Sequence, residues 1–116
     1  MASRNWTVVA LLIGTALVST GAQAAGNRCP QERDLRSIEG KISTQVTFVN
    51  AYGATIRIYW LNYNGGRQFY QQLAAGRSFA VNTYVTHPWV VTDSDENCIE
   101  VYLPQPRPST IQIRPR

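Results

Sequence analysis

The sequence is poor in the side chains that enzymes gather into clusters. It has one histidine, His87, and two cysteines, Cys29 and Cys98. Zinc sites draw three or four ligands from His, Cys, Asp and Glu. One histidine beside two cysteines that are expected to be bridged does not supply such a set. No pair of carboxylates is recognisable as acid and base. Gly76-Arg77-Ser78-Phe79-Ala80 has only a faint likeness to a nucleophile elbow and lacks the strand–turn–helix context that motif needs. Asp93, Asp95 and Glu96 are without the glycine-punctuated twelve-residue pattern of a calcium loop, so they read as a solvated turn. A non-enzyme is therefore expected, with no cofactor and no metal.

Long apolar runs are scarce too. Val8 to Gly14, with Ala16-Leu17-Val18 behind it, is short of the roughly 20 residues that span a bilayer. Arg4 precedes this run, and the small-residue pattern Ala22-Gln23-Ala24 follows it. Residues 1–24 thus read as a secretory signal peptide, with Ala25 as the new N-terminus and no membrane insertion after cleavage. Cys29 lacks the preceding sequence of a lipidated cysteine. An exported chain, periplasmic or secreted, meets an oxidising compartment, which favours a Cys29–Cys98 disulfide over two free thiols. Loss of Arg4 lowers the formal net charge from +4 to +3. The basic residues (Arg57, Arg67, Arg77, then Arg107, Arg114 and Arg116) are scattered and form no tract, so nucleic acid is not an expected partner.

What is present after residue 25 is strand pattern. Helical periodicity of useful length is missing there, and Ala25 to Gly40 is polar and mixed, an arm with a short turn between Glu32 and Ser37. Beyond it, alternating segments are cut by turns every 8 to 12 residues. They are Gln45–Val49, Thr55–Leu61, Arg67–Leu73, Ser78–Tyr84, Trp89–Thr92 and Cys98–Leu103, with a short edge strand at Thr110–Arg114. In the second, Ile56, Ile58 and Trp60 fall on one face and Arg57 and Tyr59 on the other. Asn62-Tyr63-Asn64-Gly65-Gly66 is a hairpin turn, because Asn and Gly tolerate the positive φ that primed turns require. Pro104-Gln105-Pro106-Arg107-Pro108 is a stiff extended linker. The expected fold is all-β, a single antiparallel β-sandwich of about seven strands in one domain.

Of the 12 aromatic residues, Trp6 leaves with the signal peptide. Several of the remainder recur where a strand passes into a loop: Trp60, Tyr63, Tyr70, Tyr84 and Trp89. Burial is the default role of a strand tryptophan, and Tyr63 reads as packing at the hairpin. Tyr70, Tyr84 and His87, however, carry polar tips suited to surfaces that are half wet and half apolar.

The stretch Trp-Leu-Asn-Tyr-Asn-Gly-Gly from Trp60 to Gly66, then Tyr70, Leu73, Gly76 and Asn-Thr-Tyr-Val-Thr-His-Pro-Trp from Asn82 to Trp89, resembles the von Hippel-Lindau β-domain family. The resemblance runs from about Arg36 to Leu103. It implies a seven-stranded sandwich over residues 43–116, proline-rich C-terminal tail included, behind an arm at 25–42. It also implies a site for 4-hydroxyproline in a peptide. Trp60 and Trp89 would be walls, with Trp60 on the pyrrolidine ring. Tyr70 would bond the peptide carbonyl, Thr83 and His87 would meet the prolyl hydroxyl, and Tyr84 would contact the peptide main chain. Thr83 stands where the family has serine, which keeps the hydroxyl and adds a methyl. Asn82 replaces a family histidine that contacts the peptide. No helical segment follows Leu103, so no ubiquitin-ligase adaptor is expected. The partner expected is a proline- or hydroxyproline-containing peptide or protein. The alternatives are a carbohydrate-binding or general interaction sandwich using the same aromatic platform, or a structural domain without ligand.

Overall fold

The computed structural model describes residues 26–116; the expected signal peptide at 1–24 lies outside them. A five-residue 3-10 helix, Pro30–Asp34, is followed by seven strands. These are β1 (Ser43–Asn50), β2 (Ile56–Leu61), β3 (Arg67–Leu73), β4 (Ser78–Tyr84), β5 (Trp89–Thr92), β6 (Cys98–Tyr102) and β7 (Ser109–Ile113). One sheet has the order β4-β1-β7 and the other β3-β2-β5-β6. All pairings are antiparallel except one: β7 runs parallel to β1, with Phe48 opposite Ile111. The linker Leu103–Pro108 carries the chain from one sheet to the other, so its last strand arrives beside β1 in the parallel sense. This departs from the all-antiparallel expectation.

Alternation builds the core. Val46 and Phe48 of β1 face Ile56 and Ile58 of β2, Trp89 and Val91 of β5, Ile99 and Ile113. At one end, buried Asn50 donates to the carbonyls of Ala54 and Leu73 and accepts from the Tyr52 amide, tying the β1–β2 turn to the end of β3. In β3, Ile58 pairs with Gln71 but Tyr59 pairs with Phe69, so Tyr70 is the extra residue of a β-bulge. Bulges of this kind re-aim a side chain. Here the Tyr70 ring comes 4.8 Å from that of Trp89, on the inner side.

The outer face of the four-stranded sheet is covered as well. Tyr59, Leu61 and Val90 form a second cluster with Leu35, Cys98 and Val101. Tyr59, expected to face outward beside Arg57, is 6% exposed because the arm lies over it. All four residues of β5 are consequently buried, as in strands covered on both faces.

Two covalent and ionic ties hold the arm. Cys29 and Cys98 form the expected disulfide, with Cα atoms 5.3 Å apart and a separation of 69 positions in sequence. Closing a loop of that size stabilises by about 4 kcal/mol in the chain-entropy account. Beside it Glu32, 1% exposed, receives a guanidinium fork: Arg67 Nε donates to Oε2 at 2.7 Å and Nη2 to Oε1 at 3.0 Å. Arg28 Nη1 and the Cys29 amide complete its shell at 2.8 and 3.1 Å. Arg67 spends its remaining donors on the carbonyls of Glu96 and Asn27. Burial opposes ionisation of Glu32, but the Arg67 and Cys29 hydrogen bonds and the charges of Arg67 and Arg28 outweigh it and hold the carboxyl below its ordinary pKa.

A carboxyl with a depressed folded-state pKa stabilises above its unfolded pKa, and that contribution disappears as pH falls through the folded value. The thermal midpoint is therefore expected to drop as pH is lowered from about 5 to about 2. Glu32→Gln is expected to cost about 3–5 kcal/mol near neutrality by stranding Arg67, and to flatten that slope. Midpoints across this range for both proteins check it; identical slopes would remove Glu32 from the acid response.

Candidate functional site

At the end of the sandwich opposite Asn50, β2 and β4 finish and β5 begins. A cleft of about 190 Å³ opens there. It is lined by Trp60 from β2, Tyr70 from β3, Thr83 and Tyr84 from β4, His87 from the β4–β5 loop and Trp89 from β5. All six residues singled out in the sequence are thus brought together.

Their depths differ. Trp89, Thr83 and His87 are 2%, 6% and 8% exposed and make the floor, whereas Tyr70 and Tyr84 are 43% and 40% exposed and make the rim. Trp89 is a base rather than a wall: its ring packs 5.9 Å from Phe48 in the core. Its indole N–H donates to Thr83 Oγ1 at 3.1 Å in a buried bond. Thr83 therefore acts as an acceptor beneath the cleft and keeps its own O–H to donate. Trp60 stands as the wall, with its ring 5.4 Å from both His87 and Tyr63 and 6.5 Å from Tyr70. The Trp60 indole N–H is sealed away without a partner, so this ring presents carbon and π surface to the cleft.

The arm sets the position of the loop that carries His87. Ile38 and Thr86 exchange backbone and side-chain bonds, with the Ile38 amide on the Thr86 carbonyl at 3.2 Å and Thr86 Oγ1 on the Ile38 carbonyl at 2.9 Å. The Val85 amide donates to Ile42, and the Leu61 amide to Pro88. Ser37 Oγ donates to the Leu61 carbonyl at 2.6 Å. Gly40 lies directly under the Tyr84 ring, where a Cβ would collide with the root of that side chain. Glycine at 40 is what lets the arm pass so close to the rim.

The His87 ring is enclosed by Trp60, Tyr63 and Tyr84, at 5.4, 5.5 and 5.2 Å between centroids. Burial pushes its pKa below the usual imidazole value, against a smaller upward pull from a backbone hydrogen bond at Ile38. At neutral pH the ring is uncharged, with one nitrogen donating and the other accepting. A ligand hydroxyl in this cleft can accept from Thr83 and donate to His87, while an apolar ring lies on Trp60.

Two lining residues were outside the expected set. Tyr63, read as hairpin packing, is 53% exposed and places its hydroxyl 3.4 Å from His87 Nε2. Its signal was an aromatic flanked by Asn and Gly, a turn with nothing to bury it. Asn82 also lines the cleft. Cys29, Glu32 and Cys98 come close enough together to resemble a metal set, but their sulfurs are joined in the disulfide. Asp93 accepts from the amides of Asp95 and Asn97, which closes the acidic turn on itself.

The two-sheet sandwich thus presents an aromatic cleft between its strand ends, and its family match makes it a β-domain binding module of a class that takes proteins or peptides. A family model described as VHL beta domain matches residues 35–107, more than half of the chain. The chain belongs to that family. No curated protein matches it at a significant level.

Thr83→Val would leave the Trp89 N–H buried without an acceptor, a cost of about 1–3 kcal/mol. Thr83→Ser keeps the bond and is expected to stay close to the parent. Urea unfolding of the three proteins checks this; a valine variant as stable as the parent would deny the bond any net role.

Proposed function

We propose that the chain is a non-catalytic, exported binding module that recognises proline in a peptide and prefers its 4-hydroxylated form. The observation that carries this reading is the convergence of one apolar wall, Trp60, with a hydroxyl and a neutral imidazole, Thr83 and His87, in a single small cleft. Laying a pyrrolidine ring on indole removes about 80–100 Å² of apolar surface, worth about 2 kcal/mol. The Thr83 hydroxyl would be paired by a prolyl hydroxyl and left unpaired by plain proline, while His87 would exchange its 3.4 Å contact with the Tyr63 hydroxyl for the ligand's. That difference corresponds to about 5- to 150-fold in affinity.

The rim suits a main chain. Tyr70 and Tyr84 offer phenol hydroxyls at the surface, and β4 is an edge strand of its sheet, with a free side on which an extended peptide can pair. Export by a leader at residues 1–24 belongs to the proposal, and the disulfide is compatible with it. No helix among the described residues is long and apolar enough to cross a membrane.

Paired peptides differing only in 4-hydroxylation test the reading by titration. The hydroxylated form is expected to bind at least fivefold tighter, and Trp60→Ala to weaken both by tenfold or more, given about 2 kcal/mol for the stacked ring. Thr83→Ser should keep the preference and Thr83→Val lose it. Equal weak binding of both peptides, with clear binding of an oligosaccharide, would overturn the proposal in favour of a sugar platform.

The pH dependence follows from His87. A ring that accepts the ligand's proton must be neutral, and its pKa lies below the ordinary 6.5. Affinity is expected to be level from about pH 8 to about pH 6.5 and to fall as the ring protonates at lower pH. A curve still level at a pH where NMR titration shows the His87 ring protonated would exclude His87 as the acceptor.

A further inference from the structure

A groove of about 810 Å³ lies between the N-terminal arm and the β2–β3 hairpin. Arg28, Arg33 and Arg36 line one side and Asn64–Gly66 the other. Its charge is unbalanced. Glu32 is consumed by Arg67 and Arg28, while Arg33 and Arg36 are exposed and have no ion-pair or side-chain hydrogen-bond partner among the described residues. Asp34 is the one other acid in the lining.

Groove and cleft share no lining residue, but they adjoin along the chain at two places. Tyr63 lines the cleft, and the next three residues line the groove. The Leu35 carbonyl packs against Gly65, 3.1 Å from where a Cβ would stand. At the groove's other end Ile38 is bonded to Thr86, next to His87. The disulfide and the buried Glu32–Arg67 pair hold the arm so that Arg33 and Arg36 project from a fixed frame.

We infer that the groove is the second half of one binding surface, and that it takes acidic side chains of the same peptide whose proline occupies the cleft. The inference rests on the function proposed above. Guanidinium forks match carboxylates in shape as well as charge. Two arginines and no longer basic tract suit a short acidic segment rather than a nucleic-acid backbone.

Three peptides centred on 4-hydroxyproline, with neutral, acidic or lysine flanks, are titrated against the full chain and against an Arg33→Glu, Arg36→Glu double variant. Exposed ion pairs contribute a few-fold each. Acidic flanks are expected to tighten binding about 5- to 20-fold over neutral ones at ~50 mM salt, and to lose most of that gain at ~300 mM. In the double variant the acidic peptide should fall to or below the neutral one, and the lysine-flanked peptide should gain. Equal affinity for acidic and neutral flanks, or an acidic advantage that survives in the double variant, overturns the groove while leaving the cleft standing. Failure of every hydroxyproline peptide overturns both. An acidic peptide without proline that binds as tightly as its proline counterpart overturns the single-surface inference.

Discussion

The architecture turns on a carboxylate that cannot be left alone. Glu32 is buried by an arm with little apolar surface of its own, and an uncompensated charge in that position would cost several kcal/mol. Arg67 answers it from the start of β3 with both prongs of its guanidinium, then reaches on to the carbonyls of Glu96 and Asn27. One side chain thus joins the arm, the β2–β3 hairpin and the β5–β6 turn. With the neighbouring disulfide, it turns a polar N-terminal segment into a third layer over the four-stranded sheet. A domain this small gains much from having both faces of β5 covered, since little else in it can be buried twice.

That layer also reaches the site. The arm runs on from Glu32 past Ser37, which bonds the end of β2, to Ile38, which clasps the loop carrying His87, and to Gly40 under Tyr84. The cleft therefore inherits its shape from a segment that contributes none of its floor. The chemistry depends on this rigidity. On the reading proposed above, the Thr83 hydroxyl and the neutral His87 ring discriminate between hydroxylated and plain ligands only if both are held in place. Thr83 is fixed by accepting from Trp89, and His87 by three surrounding rings.

Strand positions were legible because period-two alternation and Asn/Gly turns are local signals; β3, β4 and β5 have the expected bounds, and the other four strands differ by a residue or two at one end or both. What covers a face is not local. Alternation put Tyr59 opposite Ile58 and so outward, but it carries no information about an arm arriving from 25 residues upstream. The bulge at Tyr70 was equally invisible, since nothing in Arg67–Leu73 marks the change of phase that turns Tyr70 inward although Leu73, three residues on, also faces the core. The convergence of Trp60, Tyr70, Thr83, Tyr84, His87 and Trp89 came from family spacing and not from composition, which would have assigned both tryptophans to the core and been half right. Sequence also treated Arg33 and Arg36 as part of a polar arm, because only the disulfide and the Glu32 pair gather them into a groove.

The parallel pairing of β7 with β1 bears on how the chain is assembled. β1 is the first strand made, yet it sits at the centre of its sheet between β4 and β7. It cannot acquire its second neighbour until about 60 further residues have emerged, and non-local pairings of this kind are slow to form. For a polypeptide that emerges N-terminus first, such wiring postpones closure of the sandwich until its last strand is out. The order of the strands is thus itself a brake on premature folding.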